Sequence, residues 1–273
     1  MPVTSLRQIA IATLAFALCA PVTQAHEFWI DPVAFEIASG GDLVADIRVG
    51  QEFEGAALSY LPNSFRQFAV IQGDANTPVL SRTGDRPALN QAPVEDGLAV
   101  LVHETTDSIV IYTEFEKFES FVSHKDALWV VDIHLEEGLP NEFREVYSRY
   151  AKSLVSVGAG AGRDAEAGLE TEIVALANPY TDDVSEGFPV RVLYRGAVRQ
   201  DAQVEIFEQA PNGDISVSTV RTNDEGTAII PVRNGYSYML DSVVLRRPEG
   251  DSPLHQTAVW ESLWANLTFA VPE

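Results

Sequence analysis

The chain has 273 residues, of which 40 are acidic and 18 are basic, so its formal net charge is -22. Hydrophobic residues make up 46% of it, a fraction typical of a globular protein and too high for a disordered chain. The negative charge disfavours nucleic acid and anionic membrane surfaces as main partners, and suits a cation, a basic partner or plain solubility.

The first 25 residues predict a secretory signal. Arg7 is followed by an apolar run at residues 9–20 and by small residues ending at Ala25. The run is about twelve residues long, which is too short to span a bilayer. We therefore expect cleavage after Ala25 and a periplasmic protein without a transmembrane segment. The single cysteine, Cys19, lies inside this segment behind Leu18, which argues against a lipid anchor and leaves the mature chain without a thiol.

Residues 26–157 predict an N-terminal β-sandwich followed by a helical segment. Apolar residues alternate over 42–49, and turn-forming clusters separate further short apolar runs at 68–71, 98–102 and 109–112. At 114–129 the apolar spacing becomes helical, which predicts a helix, broken and resumed toward Glu137. A second helical piece is predicted at 143–152, with a strand at 153–157.

Residues 158–170 predict a linker or long loop. The glycines at its start miss the spacing of a phosphate-binding loop, since Arg163 occupies the third glycine position. Seven strand patterns then follow in residues 171–273, namely 172–176, 189–194, 203–207, 215–220, 227–231, 238–245 and 267–271. Trp260 and Trp264, four residues apart at helical spacing, are expected in the core.

The predicted fold class is therefore mainly β, with two antiparallel β-sandwich domains and a short helical segment between them. Each half is expected to form a sandwich because many short strands alternate with turns about every ten residues, the pattern of an immunoglobulin-like fold. The aromatic pair Phe28 and Trp29 is expected to anchor the mature N-terminus in the first sandwich.

His26 is the strongest candidate for chemistry. After cleavage it would be the first residue, so its α-amino group and imidazole could chelate one metal ion through two nitrogens. Nitrogen ligands favour nickel, cobalt, copper or zinc over calcium or magnesium. His103, at the end of an apolar strand, and His255, in a loop, are the candidates to complete this metal site. The alternative is that His26 is merely an exposed terminal residue.

The remaining chemistry is sparse. His124 is expected on the polar face of the helix and His134 farther along it, and neither belongs to a closely spaced histidine pair. The chain has no GxSxG motif, and the predicted mature form has no cysteine nucleophile. We therefore expect a protein that is not an enzyme.

Six segments together resemble the NikM-like family of bacterial exported proteins, often catalogued as a domain of unknown function. They are HEFWIDP at 26–32, VGQEFEG at 49–55, EKFESF at 116–121, REVYSRYAKSL at 144–154, LANPY at 176–180 and WESLWANLTF at 260–269. The resemblance implies a periplasmic component of nickel or cobalt uptake, with a membrane transporter as partner and His26 as ligand. The second half also resembles a transthyretin-like or carboxypeptidase-regulatory-like sandwich, which concerns the fold alone.

Two hypotheses follow. In the first, the protein captures a divalent transition metal through His26, with His103 or His255 completing the site. In the second, it is a non-catalytic structural or interaction module of the cell envelope. A weaker third idea, a copper oxidase with a histidine brace, requires another histidine beside His26.

Overall fold

The computed structural model describes residues 26–93 and 95–273, and strands dominate this part of the chain. The predicted signal segment, residues 1–25, lies outside the described residues. Several mostly antiparallel sheets packed face to face confirm the predicted mainly β fold class. Among the described residues, no helix is both long and apolar enough to cross a membrane.

The strands in chain order are β1 (Glu27–Pro32), β2 (Glu36–Ile37), β3 (Leu43–Gln51), β4 (Glu54–Leu58), β5 (Phe65–Gln72), β6 (Ala75–Pro78), β7 (Leu89–Gln91), β8 (Gly97–Thr105), β9 (Ser108–Tyr112), β10 (Phe143–Val157), β11 (Thr171–Ala175), β12 (Phe188–Tyr194), β13 (Ala197–Val198), β14 (Gln203–Gln209), β15 (Ile215–Arg221), β16 (Thr227–Ile230), β17 (Ser237–Arg246) and β18 (Trp260–Ala270). The α-helices are α1 (Phe115–His124), α2 (Trp129–Glu136) and α3 (Pro253–Thr257), and a single 3-10 turn covers Pro62–Ser64. The broken helix predicted from residue 114 is confirmed as α1 and α2.

A ten-stranded sheet runs through the middle of the molecule. Its order is β15-β14-β17-β18-β10-β8-β5-β6, and β2 and β9 also pair with β10. The central pair, β10 and β18, is parallel, with Glu145 opposite Trp260 and Ser153 opposite Thr268. Strands from both halves of the sequence therefore share one sheet. The proposed domain boundaries at 26–157, 158–170 and 171–273 stay a prediction.

Two smaller sheets cover this central sheet. One has the order β1-β3-β4, with β7 also on β3, and the other has the order β11-β12-β13, with β16 also on β12. Phe28, Ile30 and Leu43 of the first small sheet pack against Leu101 and Val155 of the central sheet.

On the second small sheet, Val190 and Phe188 belong to one core cluster with Leu240 and Phe269 of the central sheet. The helices pack elsewhere, since Phe118 and Val122 of α1 cluster with Trp260 and Trp264. The two small sheets and the helices therefore all pack against the central sheet.

The helix predicted at 143–152 is wrong, because these residues form the first two thirds of β10. Phe143, Val146, Tyr147 and Tyr150 do recur at helical spacing. Most of β10 is buried among neighbouring elements, however, so its sequence lacks the strict alternation of a half-exposed strand. Trp260 and Trp264 are likewise in a strand, β18, although both are in the core as predicted.

The loop predicted at 158–170 contains no helix or strand, and it is held at several points. Lys152 Nζ donates to Asp164 Oδ2 and to Glu172 Oε1, each at 2.8 Å. Asn178 Nδ2 donates to the carbonyl oxygens of Gly160 and Gly162, at 2.8 and 3.0 Å. The loop is therefore packed against the second half of the protein.

Candidate functional site

His26 precedes β1, and its backbone is held although its side chain is exposed. Its carbonyl oxygen accepts a hydrogen bond from Arg149 Nη2 at 3.1 Å. The next residue, Glu27, is buried and lies opposite Gly50 of β3. Phe28 and Trp29 follow and are buried, as predicted. The strand therefore presents His26 at a defined point of the surface.

A groove of about 400 Å³ is lined by His26 and by the hairpin that joins β3 to β4. The turn residues Glu52 and Phe53 have φ angles of 50° and 61°, the left-handed pair that makes a tight hairpin turn. Phe53 packs edge-on against Trp29, with ring centroids 6.3 Å apart, which holds the turn to the core. Glu52 and Glu54 are exposed in this groove beside His26.

A second cavity, of about 150 Å³, adjoins this groove and shares Gln51 and Glu52 with it. Its other lining residues include Glu27, His124 and Glu205. His124 ends α1, and its Nδ1 lies 2.8 Å from the carbonyl oxygen of Ser120. Two imidazoles and several carboxylates from distant parts of the sequence thus border adjoining cavities.

A buried ion cluster adjoins the second cavity, which three of its members, Glu27, Lys125 and Glu205, help to line. Lys125 Nζ lies 3.3 Å from Glu27 Oε1 and 3.0 Å from Asp241 Oδ2, and it also donates to Glu205 Oε2. The four side chains are between 1% and 12% exposed. Glu27 Oε2 and Asp241 Oδ1 have no hydrogen-bond partner. Three carboxylates therefore share one ammonium group in the interior.

This arrangement changes the acidity of the cluster. Burial raises the pKa of Glu27 to about 7, even though Lys125 opposes the change. Burial also raises the pKa of Asp241, again against Lys125. For Lys125, burial lowers the pKa, but Asp241, Glu205 and Glu27 together outweigh it and hold the pKa above its ordinary value. The pKa of Glu27, the residue that follows His26, is therefore shifted toward neutral pH.

His103, a predicted ligand, lies in an aromatic environment. It is 1% exposed, and the rings of Phe28, Phe65 and Phe68 lie 4.9 to 5.3 Å from its own. Burial lowers its pKa to about 3, so the imidazole is neutral, and neither ring nitrogen has a hydrogen-bond partner.

His255, the other predicted ligand, lies in the short helix α3. Its Nδ1 is 2.7 Å from Ser252 Oγ and its Nε2 is 3.2 Å from Glu261 Oε1. His26, His103 and His255 thus occupy three different environments, and their joint role as a metal site stays a prediction. Within residues 26–93 and 95–273, no group of three or more His, Cys, Asp or Glu residues could hold a metal ion.

Sequence reasoning did not identify Glu27, Glu52 or Lys125. One signal was present, because the acidic pair Glu52 and Glu54 lies between Gly50 and Gly55. A side chain at residue 55 would meet the Val49 carbonyl at 2.4 Å and the Trp29 ring at 2.8 Å. The glycine thus allows the hairpin to lie against β1. The ion cluster had no local signal, since its members are up to 214 residues apart.

Comparisons with known proteins give one family. A family model described as "Domain of unknown function (DUF4198)" matches residues 23–245. No curated protein matches the chain. Among solved structures, the chain is similar to the "D0-D1 domain of Intimin", with 13% identity, a TM-score of 0.22 and coverage of 90% of this chain and 98% of that one.

Proposed function

The chain belongs to the DUF4198 family, whose function is unknown. For this member of the family, we propose that it binds a divalent transition metal ion through His26. In this proposal the signal segment is removed in the periplasm, and nickel, cobalt or copper is the cargo of a non-catalytic protein. The NikM-like resemblance supports a role in nickel or cobalt uptake, with delivery to a membrane transporter.

The position of His26 carries the proposal. It is exposed and lines a groove, its carbonyl is held by Arg149, and Glu52 and Glu54 line the same groove. Once Ala25 is removed, one residue would offer an amine and an imidazole nitrogen to the same ion. The carboxylates add negative charge that attracts a cation.

The surroundings of His103 and His255 favour His26 over both as the metal ligand. His103 is neutral and enclosed by aromatic rings, and His255 is engaged with Ser252 and Glu261. Glu52 and Glu54 line the same groove as His26 and would act by attracting the cation rather than by coordinating it. The two nitrogens of His26 would supply most of the affinity.

The test is a calorimetric titration of Ni(II) into protein that begins at His26, beside the same protein acetylated at its α-amino group. Acetylation keeps the imidazole but converts the free amine into an amide, which is a poor ligand. We expect at least about tenfold weaker binding in the acetylated form. Equal affinity would contradict the amine chelate and would favour the structural or interaction module.

A second pair of variants tests the groove. Glu52→Gln combined with Glu54→Gln is expected to weaken Ni(II) binding about threefold or more, because two nearby negative charges are lost. Glu119→Gln, an exposed change on α1, is the control and should leave the affinity unchanged. An effect no larger than that of the control would remove the groove from the metal site.

A further inference from the structure

A separate cavity of about 300 Å³ lies against Phe28 of β1. Much of its lining is apolar, with Phe28, Ile47 and Leu58 among the contributing residues. Arg86, His103 and Arg149 also line it, and these supply two guanidinium groups and a neutral imidazole. Cationic side chains facing an apolar space are unexpected in a chain whose net charge is -22.

His103 brings unused hydrogen-bonding capacity to this cavity. Its side chain is buried, and both ring nitrogens are without a partner. A neutral imidazole always has one N–H donor and one acceptor nitrogen. Leaving both unsatisfied in the interior costs free energy, and such costs concentrate at functional sites. His103 therefore offers a donor to a molecule in the cavity.

Arg149 brings a half-buried positive charge to the same place. Its Nη2 donates to the His26 carbonyl, but its Nε has no partner and is buried. Asp241 and Glu27 act on this guanidinium through space, but neither forms an ion pair with it in the described part of the chain. The guanidinium carbon is 5.7 Å from the centroid of the Phe28 ring, and the same ring is 5.1 Å from that of His103. Phe28 therefore contacts both polar groups, and all three line the cavity.

A third polar group, Arg86, lies at the exposed side of the cavity. Its Nε donates to Ser59 Oγ at 2.9 Å, and its side chain remains accessible. A guanidinium there attracts an anion, and guanidinium groups bind carboxylates with good geometry.

We propose that this cavity binds a small organic carboxylate, with its apolar body against Phe28, Ile47 and Leu58 and its carboxylate group facing Arg149 and His103. The cavity is large enough for a small molecule and differs from the groove at His26 in its lining residues. This binding does not depend on a metal ion, and Arg149 connects the two places through the His26 carbonyl.

The probe is 4-fluorobenzoate, followed by fluorine NMR with the processed protein. We expect saturable binding with a Kd on the order of 1 mM or lower. The neutral isostere 4-fluorobenzyl alcohol should bind at least about tenfold more weakly, because it lacks the charge that Arg149 recognises. No saturable binding of the acid, or equal binding of the alcohol, would overturn the proposal.

Three variants locate the site. His103→Phe keeps an aromatic ring among Phe28, Phe65 and Phe68 but removes the hydrogen-bond donor. It is expected to weaken 4-fluorobenzoate binding about tenfold.

Arg86→Gln should weaken this binding about threefold. Arg82→Gln is the control and should have no effect, because the Arg82 side chain is 93% exposed and does not line the cavity. Unchanged binding in both His103→Phe and Arg86→Gln would place the ligand elsewhere and refute the assignment.

Discussion

Three histidines of this chain have different chemistry because their surroundings differ. His134 is buried with both ring nitrogens bonded, Nε2 to the Pro140 carbonyl at 3.1 Å and Nδ1 to Trp260 Nε1 at 3.0 Å. His103 is equally buried with neither nitrogen bonded, and His26 is exposed beside two carboxylates. His134 thus has a packing role, whereas the imidazoles of His103 and His26 can still bond to a ligand.

His103→Phe is expected to raise the free energy of unfolding by about 1 kcal/mol, because it removes two unsatisfied buried nitrogens. His134→Phe is the control and is expected to lower it by about 1 to 3 kcal/mol, because it breaks two hydrogen bonds and leaves Trp260 without an acceptor. Urea unfolding at neutral pH measures both. A loss of stability in His103→Phe as large as in His134→Phe would contradict this account of His103.

The raised pKa of Glu27 predicts that the free energy of unfolding depends on pH. Its pKa is raised from 4.5 to about 7 in the folded protein, so the folded state binds more protons than the unfolded state between these values. Stability from this group is therefore complete below about pH 4.5 and is lost as the pH rises to about 7. Burial raises the pKa of Glu145 to about 7 as well, which adds to the same trend.

Glu27→Gln isolates the contribution of Glu27. We expect the fall in unfolding free energy between pH 4.5 and 7 to be smaller in this variant, by up to about 3 kcal/mol. Denaturant unfolding at several pH values provides the measurement, and Glu119→Gln on the surface is the control. A fall of the same size in wild type and Glu27→Gln would show that Glu27 does not titrate in this range.

At the scale of elements, β10 and the loop that follows it depend on each other. Lys152 of β10 is fully buried and pairs with Asp164 of the loop and Glu172 of β11. Asp164 Oδ2 also accepts from the backbone N–H of Ala175. Lys152 in β10 thus links the irregular loop at 158–170 to β11 through buried ion pairs.

Lys152→Met is expected to destabilise the protein by about 3 to 5 kcal/mol, because two buried carboxylates lose their cation. Lys117→Met removes the exposed pair with Glu114 and is expected to cost less than about 1 kcal/mol. Thermal or urea unfolding compares the two variants. Similar losses would mean that the buried cluster contributes no more than a surface ion pair.

At the scale of the whole molecule, the two halves share one ten-stranded sheet through the pairing of β10 with β18. They also share a core, in which Val100 and Leu154 of the first half belong to the same cluster as Leu240 and Leu267 of the second. A shared sheet and core predict that the halves unfold together.

Leu101→Ala tests this cooperativity. Leu101 is 1% exposed in the core beneath the first small sheet, so the truncation is expected to cost about 2 to 5 kcal/mol. Hydrogen exchange should show the same loss of protection in β5 of the first half as in β17 of the second. A loss confined to β5 would show that the halves unfold independently.

The sequence by itself predicted the mainly β class, the broken helix after residue 114 and seven of the eight strands in residues 171–273; it missed the short strand β13. Local alternation and turn residues suffice for these, because they express which face of each element is buried. The same reasoning failed for β10, where residues at helical spacing form a largely buried strand. His26 was identified from the expected cleavage after Ala25, which stays a prediction.

Only the tertiary structure decided what surrounds each candidate residue. It placed Glu52 and Glu54 beside His26, brought Lys125 onto Glu27, Glu205 and Asp241, and enclosed His103 in aromatic rings. These neighbours come from strands far apart in the chain, so their contacts depend on sheet order and on β10 pairing with β18. Hydrophobic periodicity records burial but not the partner across the interface, and the chemistry of each site depends on that partner.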